Sequence, residues 1–241
     1  MNTSVKVLVI IPAYNEAPRI GKVVRGVRQV VPEADILVID DGSRDKTARI
    51  ALLAGAKVAS LVDNLGYGAA LQTGYCYARR YDYDFVVQMD GDGQHEPRDI
   101  PRLLAAVQQA DVDVALGSRW LGKGSYQSSL LRKFGKFFFG FLASRLTHYQ
   151  VTDPTTGFQA LTRPVVNFYC SQVYPADYPD ADVIIMLHRA GFRVREVPVT
   201  MYRDESGQSM HNGLKPLYYG FKMMMSIAMT LMRDDRQLRE G

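Results

Sequence analysis

Five short apolar runs rich in β-branched residues alternate with helix-forming stretches across the first 117 residues, and this alternation leaves few folds open. The runs are Val5–Ile11, Ile36–Ile39, Lys57–Leu61, Phe85–Met89 and Val112–Leu116; the helical stretches span about 17–30, 45–54, 67–80 and 99–109. Strand and helix alternating at this spacing predict an α/β, Rossmann-like, mostly parallel sheet with helices on both faces. The runs lack polar alternation, as strands buried on both sides do. Further on, the turn-rich segment 153–158 leads into another expected strand. A helix near Asp182–Ala190, a strand near Arg193–Val197 and an apolar helix from about Leu214 to Met232 follow. At 241 residues this is one large domain, or one domain with an appendage. Hydrophobic residues at 47% and charged residues at 22% exclude disordered, collagen-like and coiled-coil chains.

In sheets of this kind ligands bind outside the carboxyl ends of the strands, so the residues that follow each run are the informative ones. They are Pro12-Ala13-Tyr14-Asn15-Glu16, Asp40-Asp41-Gly42-Ser43-Arg44-Asp45, Asp63-Asn64-Leu65-Gly66-Tyr67-Gly68, Asp90-Gly91-Asp92-Gly93-Gln94-His95 and Gly117-Ser118-Arg119. Five polar clusters at one edge predict a composite site. Asp90 and Asp92 would repel at a bare strand end, and a divalent cation relieves the repulsion. Mg²⁺ is usually held by one or two carboxylates plus substrate phosphates, and Gln94 can add an amide oxygen. A solvated Asp/Gly turn is the plainer alternative. Asp41 can accept hydrogen bonds from a base or a ribose, while Ser43 or Asp45 suits a helix cap. Residues 64–68 form no P-loop, no GxGxxG follows the first run, and no GxSxG is present. His95, His148, His188 and His211 form no HExxH, and of the four only His95 stands in a candidate cluster.

The net charge of +4 gives no argument for nucleic acid. The distribution of charge is more informative. Val114 to Thr152 contains no Asp or Glu but carries Arg119, Lys123, Arg132, Lys133, Lys136 and Arg145. Leu130, Phe134, Phe137, Phe138, Phe141 and Leu142 recur there at helical spacing, with Phe139 adding apolar bulk. Such a basic amphipathic helix lies in a membrane interface, or packs on a core with a solvated basic side. The last helix is interrupted by Lys215, Pro216 and Lys222, so an interfacial or packed helix is expected and not a transmembrane one. It could meet lipid, a second copy of the chain or a membrane protein. Cys76 and Cys170 are remote in sequence and make no CxxC, which points to a reducing compartment. No signal peptide is read at the N-terminus, so residence on the cytoplasmic side is expected.

The residues at 12–16 (PAYNE), 40–45 (DDGSRD), 90–95 (DGDGQH), 117–119 (GSR) and 153–158 (DPTTGF) together resemble a family 2 glycosyltransferase with the GT-A fold, over roughly residues 5–210. Gln94-His95 after the paired acids, Asp153 with Thr156-Gly157-Phe158, and Arg203, Gly207 and Ser209 after Val197-Pro198-Val199 are similar to the polyprenyl- and dolichyl-phosphate hexose synthases. The resemblance implies inverting transfer from a nucleotide diphosphate sugar, a UDP- or GDP-hexose, assisted by Mg²⁺ or Mn²⁺. Carried over by position, Pro12, Tyr14, Glu16 and Asp41 would hold the nucleoside, with Asn64, Gly68, Asp90 and Gly91 completing the nucleotide-sugar site. Asp90, Asp92 and Gln94 would take the metal, and Asp92 and Arg119 would act in catalysis. Arg119, Arg132 and Arg203 would meet the acceptor phosphate or the donor diphosphate, with Ser209 beside them on the acceptor side. Met210 departs from the Lys often found after the serine. The implied organisation is a catalytic domain over 1–210, with a nucleotide-sugar half (1–117) and an acceptor half (118–210), and a C-terminal helix within 211–241.

The acceptor divides the readings. A lipid phosphate needs no general base, because its second pKa is about 6, and arginines suffice to orient it. A hydroxyl on a lipid-linked glycan needs a carboxylate to take its proton; Asp182 is the first candidate and Asp180 the second, though both equally suit capping before Val183. The basic stretch favours the lipid phosphate at a membrane surface. A sugar nucleotidyltransferase would place a basic glycine-rich loop where Pro12–Glu16 stands. A non-catalytic sugar-nucleotide sensor would share the whole pattern. Uridine and guanosine both can bond to Asp41, so neither base nor sugar is readable.

Overall fold

The computed structural model describes residues 5–121, 130–147, 151–171, 174–175, 181–202 and 215–232, the side chains of 130–138 and 215–220 excepted. At its centre β1 (Val7–Ala13) sends Leu8 and Ile10 to one face of a sheet and Val9 and Ile11 to the other, all fully buried. β2 (Asp35–Asp40) repeats the division with Leu37 and Ile39 against Ile36 and Val38. This two-sided burial explains the unbroken apolar runs. On one face lie α1 (Ile20–Val30), α2 (Thr47–Leu53) and α4 (Ile100–Val107); on the other lie α3 (Tyr67–Arg80), α6 (Arg163–Tyr169) and α7 (Ala181–Arg189).

With β3 (Lys57–Ser60), β4 (Phe85–Gln88), β5 (Val114–Ser118), β6 (Gln159–Thr162) and β7 (Val194–Pro198), the seven strands run in the order β3-β2-β1-β4-β6-β5-β7. β6 is antiparallel to both neighbours and the other pairings are parallel. β6 therefore separates β4 from β5, with Ala160 opposite Val87 on one side and Ala115 on the other. Strand periodicity carries no direction, so residues 159–162 read as a strand but not as a reversed one.

Several boundaries move for identifiable reasons. β5 runs to Ser118 instead of Leu116, because Gly117 and Ser118 pair with Val197 and Pro198. The helix expected from 99 opens with a 3₁₀ turn, Pro97–Asp99, where the Glu96 carboxylate accepts from the Arg98 N–H at 3.1 Å. α6 adds to the expected elements, and Pro164 at its first turn is a helix-start signal. Cys76 and Cys170 are free and half-buried, and the influence of the Cys170 thiol draws the Cys76 pKa down.

α5 (Leu130–Thr147) and α8 (Lys215–Met232) bear out the two expected helices. Phe139 of α5 packs with Ala181 and Ile185 of α7 and with Met223 and Ile227 of α8. Phe141, Phe221, Met224, Met225, Met229 and Met232 are exposed. Among the described residues no helix is long and apolar enough to cross a membrane.

Candidate active site

The loops after β1 and β2 are laced together. The Asn15 N–H donates to Ser43 Oγ (2.9 Å), the Arg44 N–H to Asn15 Oδ1 (2.9 Å) and the Glu16 N–H to Thr47 Oγ1 (2.8 Å). Pro12 stays in the buried strand, Tyr14 is exposed, and the Glu16 carboxylate accepts from Arg19 Nε at 2.6 Å. Asp45 receives the N–H of Thr47, the first residue of α2, at 2.9 Å, although Lys46 holds the N-cap position itself, whereas Ser43 serves the neighbouring loop. Asp41 is buried, and its two oxygens accept the N–H groups of Leu65 (2.8 Å) and Gly66 (3.0 Å). It thereby fixes the loop that carries the exposed Asn64 and ends at the buried Gly68. Gly42, at φ 68°, leaves no room for a Cβ, which would sit 2.5 Å from the carbonyl carbon of Asp63. The second and third loops are thus closely packed, with Asp41 as the tie.

The end of β4 carries the paired acids. Asp90 Oδ1 accepts from the Tyr67 hydroxyl at 2.7 Å, and Asp90 Oδ2 lies 3.7 Å from His95 Nε2. His95 Nδ1 accepts the Asp90 N–H at 3.2 Å, so the imidazole proton sits on Nε2, facing the carboxylate. Burial holds the His95 pKa down at about 4, which keeps the ring neutral near pH 7. His95 also stacks on Phe158, with ring centroids 4.9 Å apart. Asp92 accepts both the Gln94 N–H (2.9 Å) and the Gln94 side-chain NH₂ (2.7 Å). Burial raises the pKa of Asp90, and burial together with the Asp90 charge raises that of Asp92.

The end of β5 and the segment 152–158 close the other side. Arg119 Nε donates to Asp153 Oδ2 at 2.6 Å, and its NH2 reaches the Thr155 carbonyl at 3.3 Å. Glu196 of β7 accepts the Thr152 N–H, the Thr152 hydroxyl and the Asp153 N–H, at 2.8, 2.6 and 2.9 Å. The charge of Arg119 stabilises ionised Asp90. Gly157 packs directly on Asp90: a Cβ there would lie 2.8 Å from both Asp90 Oδ2 and the Tyr67 hydroxyl. Beyond β7 the chain returns to the same place, where His95 pairs with Met201 and the Tyr202 N–H donates to the Gln94 carbonyl at 2.7 Å.

The structure therefore gathers Asp90, Gly91, Asp92, Gln94 and Arg119 around one edge, with Asp41 and the 63–68 loop beside them. Asp182 turns elsewhere. It is fully buried in α7, where its carboxylate accepts from the Ser226 hydroxyl of α8 and from the Val183 N–H. The Arg132 side chain, Arg203, Ser209, Asp180, His148 and His211 lie outside the described residues. Tyr67, His95, Asp153, Gly157 and Glu196 complete the site. The first four stand in polar clusters of the sequence that carry no signal for these roles, and Glu196 has no local signal at all.

The donor set fits a hard divalent cation. Two carboxylates with raised pKa values stand at one strand end, with an amide beside them, and a cation there would offset both burial and mutual repulsion. Among the described residues no three His, Cys, Asp or Glu side chains gather on one point, so the remaining coordination positions would fall to water and ligand phosphates, as Mg²⁺ commonly has them.

The close approach of Gly157 gives a direct prediction. Gly157→Ala should displace the Asp90 carboxylate and lower turnover by about 10²-fold, the usual effect of a misplacement near 1 Å. The melting temperature should move little, because a side-chain tip can yield. Steady-state kinetics beside a thermal melt check this, and unchanged turnover would remove Asp90 from the machinery.

The sequence matches the family described as glycosyl transferase family 2 over residues 8–169. The chain is 33% identical to a polyprenol monophosphomannose synthase of Mycolicibacterium smegmatis, over 86% of this chain and 82% of that one. It is 32% identical to an undecaprenyl-phosphate mannosyltransferase of Micrococcus luteus, over 86% and 88%. In fold it is similar to glucosyl-3-phosphoglycerate synthase of Mycobacterium tuberculosis in complex with Mn²⁺ and UDP-glucose, with TM-score 0.66, 19% identity and coverage of 94% of this chain and 79% of that one. Its fold is the GT-A fold, and the chain belongs to glycosyl transferase family 2 as a glycosyltransferase.

Proposed function

We propose that this enzyme moves a hexose, with inversion, from a nucleotide diphosphate sugar to a polyprenyl phosphate at the cytoplasmic face of a membrane. The observation that carries the acceptor assignment is the state of Asp182. A hydroxyl acceptor needs a base, and the first candidate base, Asp182, is fully buried against Ser226 of α8. A phosphate acceptor arrives already ionised and needs orientation instead. Arg119, held by Asp153 beside the paired acids, supports that role. The relatives named for transfer to polyprenol or undecaprenyl phosphate support the same acceptor. A relative of Methanococcus voltae, 27% identical over 94% of this chain, is named for transfer to dolichyl phosphate.

In this reading Pro12, Tyr14, Glu16 and Asp41, with Asn64, Gly68 and Gly91, form the nucleoside side of the donor site. Asp90, Asp92 and Gln94 hold Mg²⁺ or Mn²⁺, which supplies Lewis-acid stabilisation of the leaving diphosphate, worth several kcal/mol. Arg119, with Arg132, Arg203 and Ser209, holds the acceptor phosphate near the sugar carbon. The exposed Phe141, Phe221, Met224, Met225, Met229 and Met232 provide apolar area for a membrane surface.

Incubation with UDP- and GDP-hexoses, polyprenyl phosphate and Mn²⁺ tests the assignment. An organic-extractable phosphosugar of inverted anomeric configuration is the expected product. Transfer only to hydroxyl-bearing glycans would overturn it. Asp182→Asn sharpens the choice: transfer to lipid phosphate should stay within about threefold of wild type, whereas loss of a general base costs about 10²–10⁴-fold.

A further inference from the structure

A chain of hydrogen-bonded side chains runs from the sheet interior to Asp90. Gln159 Nε2 donates to Gln88 Oε1 at 2.6 Å, and the Tyr75 hydroxyl donates to the same oxygen. Gln88 Nε2 donates to the Tyr67 hydroxyl oxygen at 3.1 Å, and Tyr67 donates to Asp90 Oδ1 at 2.7 Å. Gln88, Gln159 and Tyr75 are buried. An ionised carboxylate only accepts hydrogen bonds, so the direction of the whole chain is set at Asp90. Tyr67 must spend its one proton there. Its oxygen must then accept from the Gln88 amide, whose carbonyl is left to Tyr75 and Gln159. A network satisfied at every member holds its end group in one orientation.

Tyr67 also stands in a covalent position of consequence. It directly follows Leu65 and Gly66, whose N–H groups are bound by Asp41. One short stretch of backbone thus connects the buried carboxylate after β2 to the paired acids after β4. We propose that Tyr67 is a positioning residue that fixes the Asp90 carboxylate for the metal–nucleotide complex and links its placement to that of the Asp41 loop. The inference rests on the donor reading given above. It gives a role to a residue that touches neither the nucleotide nor the metal in that reading.

The test is calorimetric binding of UDP and of GDP to the full chain, each with Mn²⁺ and with chelator. For the nucleotide that binds, wild type should show a gain in affinity with Mn²⁺. Tyr67→Phe keeps the ring and removes the proton given to Asp90. It should reduce the Mn²⁺-dependent gain by about 10–100-fold, the usual cost of losing a partner that orients a metal ligand. Its affinity in chelator should equal that of wild type, which also reports that the site is folded. Asp90→Asn should lose the gain, and the double variant should bind no worse than Asp90→Asn alone, because both changes act through one carboxylate.

A full Mn²⁺ gain in Tyr67→Phe, or additive losses in the double variant, overturns the positioning role while leaving the donor site intact. Retention of the gain by Asp90→Asn, or absence of Mn²⁺-dependent binding of either nucleotide by wild type, overturns the donor reading itself, and the role of Tyr67 with it.

Discussion

Asp92→Asn is expected to lower turnover by about 10³-fold, since Lewis-acid stabilisation is worth several kcal/mol and each 1.36 kcal/mol is about tenfold in rate. The substitution is close to isosteric. Its amide oxygen can still receive the Gln94 N–H, and the Gln94 side chain can turn to accept from the new NH₂ group, so the loop should keep its shape. Stability should move the other way. Folding raises the pKa of both Asp90 and Asp92, so the folded state binds their protons more tightly than the unfolded chain. Each carboxylate therefore destabilises the fold as pH rises past its unfolded value of about 3.9. Removing one charge relieves that cost at pH 7 and should raise the melting temperature of the metal-free protein. Chelation of wild-type enzyme should reproduce the loss of turnover. A variant that melts higher and turns over slowly separates function from folding, while full turnover in Asp92→Asn or in chelator would refute the role of the acids.

The paired acids were legible in the sequence because each feature that marks them is local. An apolar run ends, two carboxylates follow two residues apart, and glycines between and after them allow a tight turn. The same holds for the other clusters, since parallel strands deliver their ends to one edge wherever each sits in the sheet. What escaped is long-range. Gly157 reads as part of a turn, and its contact with Asp90 exists because β6 enters antiparallel between β4 and β5 and brings 153–158 across the site. Glu196 reads as a charged strand residue, yet it orders Thr152 and Asp153 from a neighbouring strand. Gln88 reads as a polar interruption in an apolar strand, and its use appears only when Tyr75, Gln159 and Tyr67 surround it. Asp182 shows the converse: its place before an apolar helix suits a base or a cap, and the packing of α8 on α7 buries it against Ser226.

Breaking the Arg119–Asp153 pair is expected to have the largest effect on stability. Asp153 is almost fully buried and the Arg119 side chain is 12% exposed, so the pair lies in a region of weak screening. Asp153→Ala leaves a buried guanidinium without its carboxylate, a change that costs about 3–5 kcal/mol. For a chain of this size each kcal/mol shifts the melting temperature by about 2–4 °C, so a fall of roughly 10 °C should be seen in a thermal melt. The double variant Arg119→Met/Asp153→Leu removes both charges together and should recover most of that loss, as apolar replacements of buried pairs often do. Recovery of the fold should bring no recovery of transfer, because a thioether in place of the guanidinium offers no donors to a phosphate. Arg119→Lys divides the roles further: it keeps the charge beside Asp153 but loses the planar fork, and should bind acceptor more weakly at near-normal stability. If the double variant instead transferred sugar at the wild-type rate, Arg119 would be a structural partner of Asp153 alone, and the acceptor phosphate would have to be held by other residues.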